Sequence, residues 1–156
     1  MKKFTSLLIA MLMVFTTIGG VSAKNAAPKT LVKAALKKTG NASKIQYTDT
    51  KDFNGLGASD TKKVSKMFFA SDNKGVYTVA VFKCKSGKVN AIYNALKKYK
   101  RSLTKGNYYK SDYSKTQQRV LGAAVVGKKG NYAYYVAMAT SAGKNNRGVA
   151  AIKRGI

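Results

Sequence analysis

Histidine, glutamate and tryptophan are absent from this 156-residue chain, which has one cysteine and one proline. Each absence closes off chemistry. Without histidine the commonest general base is missing, and with it the Ser-His-Asp triad, the Cys-His pair and any zinc site built on imidazole. Without glutamate, paired-carboxylate hydrolysis needs two of Asp49, Asp52, Asp60, Asp72 and Asp112, the five acids of the chain. Three of these fall within 49–60 beside Asn54, but without the ligand spacing of an EF-hand, so they read as solvated loop acids. Cys84 alone forms no internal disulfide. At the end of a predicted strand it reads as a small buried hydrophobe, with pairing between chains or a reactive thiol as the alternative.

Two motif-like strings are set aside on order and spacing. Lys38-Thr39-Gly40, Ser71-Asp72-Asn73 and several Ser-x-x-Lys tetrads echo the penicillin-binding set, but the Lys-Thr-Gly precedes the others instead of following on a late strand. Gly55-Leu56-Gly57 lacks the third glycine of a dinucleotide fingerprint and reads as a flexible turn. The expectation is a protein that is not an enzyme and uses no cofactor and no metal. An enzyme of unfamiliar type, built on Asp, Lys, Tyr or Ser, is the remaining catalytic alternative.

Long hydrophobic runs are also scarce. The one near the N-terminus spans Leu7–Phe15, follows Lys2 and Lys3, and precedes the small residues Val21-Ser22-Ala23. Thr5, Ser6, Thr16, Thr17 and two glycines keep the apolar part short for a membrane span, so residues 1–23 read as a signal peptide cleaved after Ala23. That predicts a secreted or cell-envelope-associated protein, with no transmembrane span after cleavage and no cysteine near the cut to carry a lipid. A lead-in at 24–29 and a single domain over 30–156 remain.

What the chain has in excess is positive charge. Thirty basic residues face five acids, and loss of residues 1–23 leaves 28 against five, a net charge of +23 on 133 residues. Such density attracts polyanions and opposes compaction. Only Arg101, Arg119, Arg147 and Arg154 are arginine. A lysine surface acts as hydrated point charges more than as bidentate phosphate readers, which favours salt-sensitive adhesion over sequence recognition. The densest stretch is Lys97, Lys98, Lys100 and Arg101, then Lys105, Lys110 and Lys115, interleaved with Tyr108, Tyr109 and Tyr113. The cations are candidate polyanion-binding residues and the three tyrosines candidate stacking residues, as on single-strand nucleic-acid or glycan surfaces. The plainer reading makes Tyr93 and Tyr99 core residues of a helix and the lysines its solvated face. Expected partners are an anionic cell-envelope polymer or lipid surface, with extracellular nucleic acid as the alternative.

Periodicity predicts the order α-β-β-α-β-β-α. A helix over about 30–39, capped by Thr30, stops at Gly40. Residues 41–62 read as a long loop with a short strand or turn near Ile45–Tyr47. Val64–Ala70 and Val76–Phe82 read as a hairpin turned by residues 71–75. After Ser86, Val89, Ile92, Tyr93, Leu96, Tyr99 and Leu103 recur at helical spacing over about 87–104. Residues 106–118 read as loop, Arg119–Val126 and Asn131–Thr140 as a second hairpin turned by Gly127-Lys128-Lys129-Gly130, and Ser141 opens a final helix. The prediction is an α+β domain: a four-stranded, mainly antiparallel sheet from two hairpins, with about three helices on one face.

The run Gly75-Val76-Tyr77-Thr78-Val79-Ala80-Val81-Phe82-Lys83-Cys84-Lys85-Ser86-Gly87-Lys88-Val89, leading into that helix, and the later Gly130-Asn131-Tyr132-Ala133-Tyr134-Tyr135-Val136 carry a resemblance. Over about residues 30–155 the chain resembles the exported Gram-positive bacterial domains of unknown function catalogued as family number 4358. The resemblance implies the fold and export, and no activity or site residues.

Overall fold

The computed structural model describes residues 25–105, 109 and 111–156. The segment read as a signal peptide lies outside the described residues, as do Tyr108 and Lys110.

Helix α1 spans Pro28–Thr39 and ends at Gly40, whose φ of 81° supplies the left-handed stop that a side chain resists. Pro28 opens the helix, so the cap position is Ala27 and not Thr30 as the spacing suggested. The stretch read as a long loop is more ordered than its turn-forming composition implies. It holds a 3₁₀ turn at Ala42–Lys44, strand β1 at Tyr47–Asp49 and a short helix, α2, at Ala58–Thr61. Phe53 and Leu56 in that stretch are buried. Gly55 is no flexible turn, because the rings of Phe53 and Tyr99 occupy the space a Cβ would take.

Strands β2 (Val64–Ser71) and β3 (Thr78–Cys84) form the expected hairpin, and helix α3 covers Val89–Thr104. Its cap position is Lys88, after Gly87 at φ 69°, so Ser86 lies outside it. The next region corrects the sequence reading. Lys115–Gly122 is a helix, α4, and only Val125–Lys129 forms the strand β4. The apolar run Val120–Val126 joins a helix end to a short strand, and that continuity mimics one longer strand. Ser114 and Gln117 close a capping box, each side chain bonding the other's backbone N–H. Lys128 and Lys129 are thus strand residues, and the reversal falls at Gly130-Asn131 before β5 (Tyr132–Ala137). Helix α5, Ala142–Arg154, starts at Ser141, whose hydroxyl accepts from the Lys144 N–H.

The sheet is therefore five-stranded and antiparallel throughout, in the order β1-β2-β3-β5-β4. Five strands and, among the described residues, five α-helices replace the four and three expected. Helices also cover both faces. On one, Leu31, Val32 and Ala35 of α1 and Val149 and Ile152 of α5 pack on Val79, Val81, Tyr132, Tyr134 and Val136. On the other, Ile92 and Leu96 of α3, Val120 and Leu121 of α4, and Phe53 pack on Ala80, Phe82, Ala133 and Tyr135. Both alternating sets of β3 and β5 are apolar, and a sheet with two apolar faces needs cover on each.

Candidate functional site

Helix α3 and the edge strand β4 lie side by side, and between them the fold collects cations. Lys97 and Lys128 each place their ammonium 5.3 Å from the centroid of the Tyr93 ring. Lys128 also donates to Asn90 Oδ1, one turn earlier on α3. The Lys100 Nζ donates to the Ala124 carbonyl at 2.6 Å. Tyr93, Lys97, Lys100, Arg101, Thr104 and Val126 line a groove of about 340 Å³. Along the same edge, Lys129 donates to the Lys153 carbonyl of α5. Every acceptor in this set is neutral: a carbonyl, an amide oxygen or a ring face. None lowers the net charge, because α3, β4, β5 and α5 contain no carboxylate side chain.

The structure thus divides the sequence candidates. Lys97, Lys100 and Arg101 share the groove, because spacings of three and four put them on one flank of α3. Lys98 lies on the other flank, lining a separate cleft with Asp60 and Lys63, which pair at 2.7 Å. Lys105 follows the last turn of α3 and Lys115 opens α4. The described tyrosines are structural. Tyr109 donates its hydroxyl to the Gln118 carbonyl at 2.8 Å, and Tyr109 and Tyr113 are half-buried against the core. Lys128 and Tyr93 are the members that sequence reasoning missed as a pair. They are 35 positions apart and meet only through the packing of β4 beside α3.

Four of the five acids fall within residues 49–72, and one of them, Asp60, lines the cleft shared with Lys98 of α3. Asp49 accepts from the N–H groups of Thr50 and Lys51. Asp72, 8% exposed, accepts from Val76 N at 2.7 Å and Tyr77 N at 3.0 Å and so ties the β2–β3 turn. Among the described residues no group of three Cys, Asp, Glu or His side chains converges as a metal site would require.

The reactive side chains of the interior are held in their neutral forms. Burial pushes the Cys84 thiol up to about 11, and its Sγ rests 3.8 Å from the Phe82 carbonyl. Burial, aided by neighbouring Tyr113, Tyr47 and Asp72, pushes Tyr99 up to about 12. Tyr135 is raised further by burial, and its hydroxyl has no hydrogen-bond partner among the described residues. It packs edge-on to Tyr99 at 5.5 Å, in a nest of rings where Phe53 touches Phe69, Phe82 and Tyr99. A thiol or phenol in this state is a poor nucleophile and a poor base.

The fold defines the class: a three-layer α+β domain, one five-stranded antiparallel sheet covered by helices on both faces. The chain belongs to the family described as domain of unknown function (DUF4358), whose model matches residues 34–138. Neither curated proteins nor solved structures offer a match to it. Among the described residues, no helix is long and apolar enough to cross a membrane.

Proposed function

We propose that this protein is a non-enzymatic, exported module that binds anionic polymers of the cell envelope through the basic surface shared by α3 and β4. The observation that carries the reading is the set of neutral acceptors under Lys97, Lys100, Lys128 and Lys129, which orders these side chains without cancelling their charge. Ordered, uncompensated cations lose less side-chain entropy when an anion arrives, and their summed field draws it in from a distance. Lysine in place of arginine suits a repeating phosphate chain, which asks for charge more than for a fixed two-pronged geometry. The N-terminal segment supplies the route to such a partner, if cleavage after Ala23 releases residues 24–156 outside the membrane.

Retention on immobilised poly(glycerol phosphate), measured against sodium chloride, tests this reading. We expect strong retention at low ionic strength that collapses once the screening length shrinks to about 3 Å near 1 M salt. Absence of retention at low salt, or retention indifferent to salt, contradicts it. Competition with single-stranded DNA separates the partners, and a clear preference for DNA would transfer the surface to nucleic acid.

A further inference from the structure

A second cationic feature lies elsewhere, at the end of the sheet where β5 leaves and β3 enters. There a cleft of about 510 Å³ is lined by Lys37 and Lys38 from the end of α1 and by Lys144 and Arg147 from the start of α5. Thr116, Thr140 and Asn41 add polar groups, and Tyr77, Val120 and Ala139 give it an apolar floor. Among the described residues no carboxylate lines it.

The placement of one of these charges opposes its own helix dipole. Lys37 and Lys38 stand in the last turn of α1, where a cation complements the helix dipole. Lys144 stands in the first turn of α5, where the dipole is positive and a cation is unfavourable. Neither α4 nor α5 has an acid in its first turn to offset this. Four like charges therefore face one space; the α1 dipole offsets Lys37 and Lys38 in part, and no first-turn acid offsets Lys144.

The frame around the cleft is also rigid. The buried Asn145 accepts from the Met138 N–H at 2.9 Å and donates to the Ala123 and Ala139 carbonyls at 2.8 and 3.2 Å. The Asn41 amide donates to the Met138 carbonyl. Both backbone groups of Met138 are thus held by side chains, which fixes the β5–α5 connection against α1 and α4. A preformed site loses little entropy when it fills.

We propose that this cleft binds a small ligand bearing a phosphate ester, with Arg147 gripping the phosphate oxygens and Lys38 and Lys144 neutralising its charge. Arg147 supplies the paired N–H geometry that a phosphate matches, and the threonine hydroxyls can donate to remaining oxygens. The tyrosine and aliphatic floor accommodates the carbon skeleton. This site is separate from the α3–β4 surface and does not rest on the function proposed for it.

Calorimetric titration of the purified protein with inorganic pyrophosphate tests the site at constant ionic strength. We expect one saturable site, with Arg147→Gln and Lys144→Gln each weakening binding by about tenfold or more. The pair Lys97→Gln/Arg101→Gln should weaken it less than either cleft variant, since neither residue lines the cleft. Thermal melting of each variant establishes that these exposed substitutions leave the fold intact. Glycerol phosphate in solution and phosphatidic acid in vesicles then identify the source of the phosphate. Arg147-dependent binding of the first assigns a free metabolite-like ester, and of the second alone a lipid headgroup. Multiple weak sites insensitive to Arg147→Gln, or equal loss in the Lys97→Gln/Arg101→Gln variant, would overturn the proposal.

Discussion

Between β1 and the β2–β3 turn the carboxylates of Asp49, Asp60 and Asp72 are each tied into local structure, whereas at the β4 edge the ammonium groups end on neutral atoms. Strand β1, which carries Asp49, lies four strand spacings from β4, about 19 Å, which exceeds the screening length at physiological salt. Asp49 therefore does not neutralise the far edge. The same chain thus uses charge for two purposes. Aspartates close turns and pair with a neighbouring lysine, while the lysines of α3 and β4 are held in place and left charged.

This contrast has measurable consequences. Asp72→Ala removes the acceptor for two backbone N–H groups in a buried turn, and urea unfolding should show a loss of about 1–3 kcal/mol. Asp72→Asn, which keeps an acceptor oxygen, should recover part of it. Asp60→Asn breaks a partly exposed pair with Lys63, and the same assay should register a loss of at most about 1 kcal/mol. Neutralising the other edge should behave oppositely. The pair Lys97→Gln/Arg101→Gln should leave stability within about 0.5 kcal/mol, with any change toward greater stability and largest at low salt, because like charges are being thinned. A β4-edge variant that unfolded as readily as Asp72→Ala would erase the distinction.

The parts legible in the sequence are those whose local signals agree with the fold. The β2–β3 hairpin was readable because Val76–Phe82 combines β-branched and aromatic residues behind Gly75, which adopts φ 70°. Helix α3 was readable from the spacing of Ile92 and Leu96, and α5 from Ser141. Helix α4 was obscured because Val120–Val126 is continuously apolar across a helix end and a strand start. Its capping box, Ser114 with Gln117, was the signal that could have found it. Strand β1 is three residues long and mostly exposed, too short for a period to register. Cover on both faces was implicit in β5, where Tyr132, Tyr134 and Val136 alternate with Ala133, Tyr135 and Ala137 and all are buried.

The candidate site was legible only as a run of charge. Sequence spacing placed Lys97, Lys100 and Arg101 on one flank of α3 and Lys98 on another, but Tyr109 and Tyr113 after them pack inward. Lys128 joined the site through tertiary structure, from a segment read as a turn. The cleft of Lys37, Lys38, Lys144 and Arg147 was invisible for the same reason, since more than a hundred positions separate its two halves. Charge density can be counted along a chain, whereas the surface on which it gathers depends on helix packing and strand order.

An amide-resolved NMR titration with poly(glycerol phosphate) tests the central claim most directly. Perturbations concentrated on α3 from Asn90 to Thr104 and on Lys128 and Lys129, and abolished by Arg101→Gln/Lys128→Gln, are the predicted result. Perturbations centred on the β1 edge between Tyr47 and Lys63, or spread evenly over the surface, would contradict it.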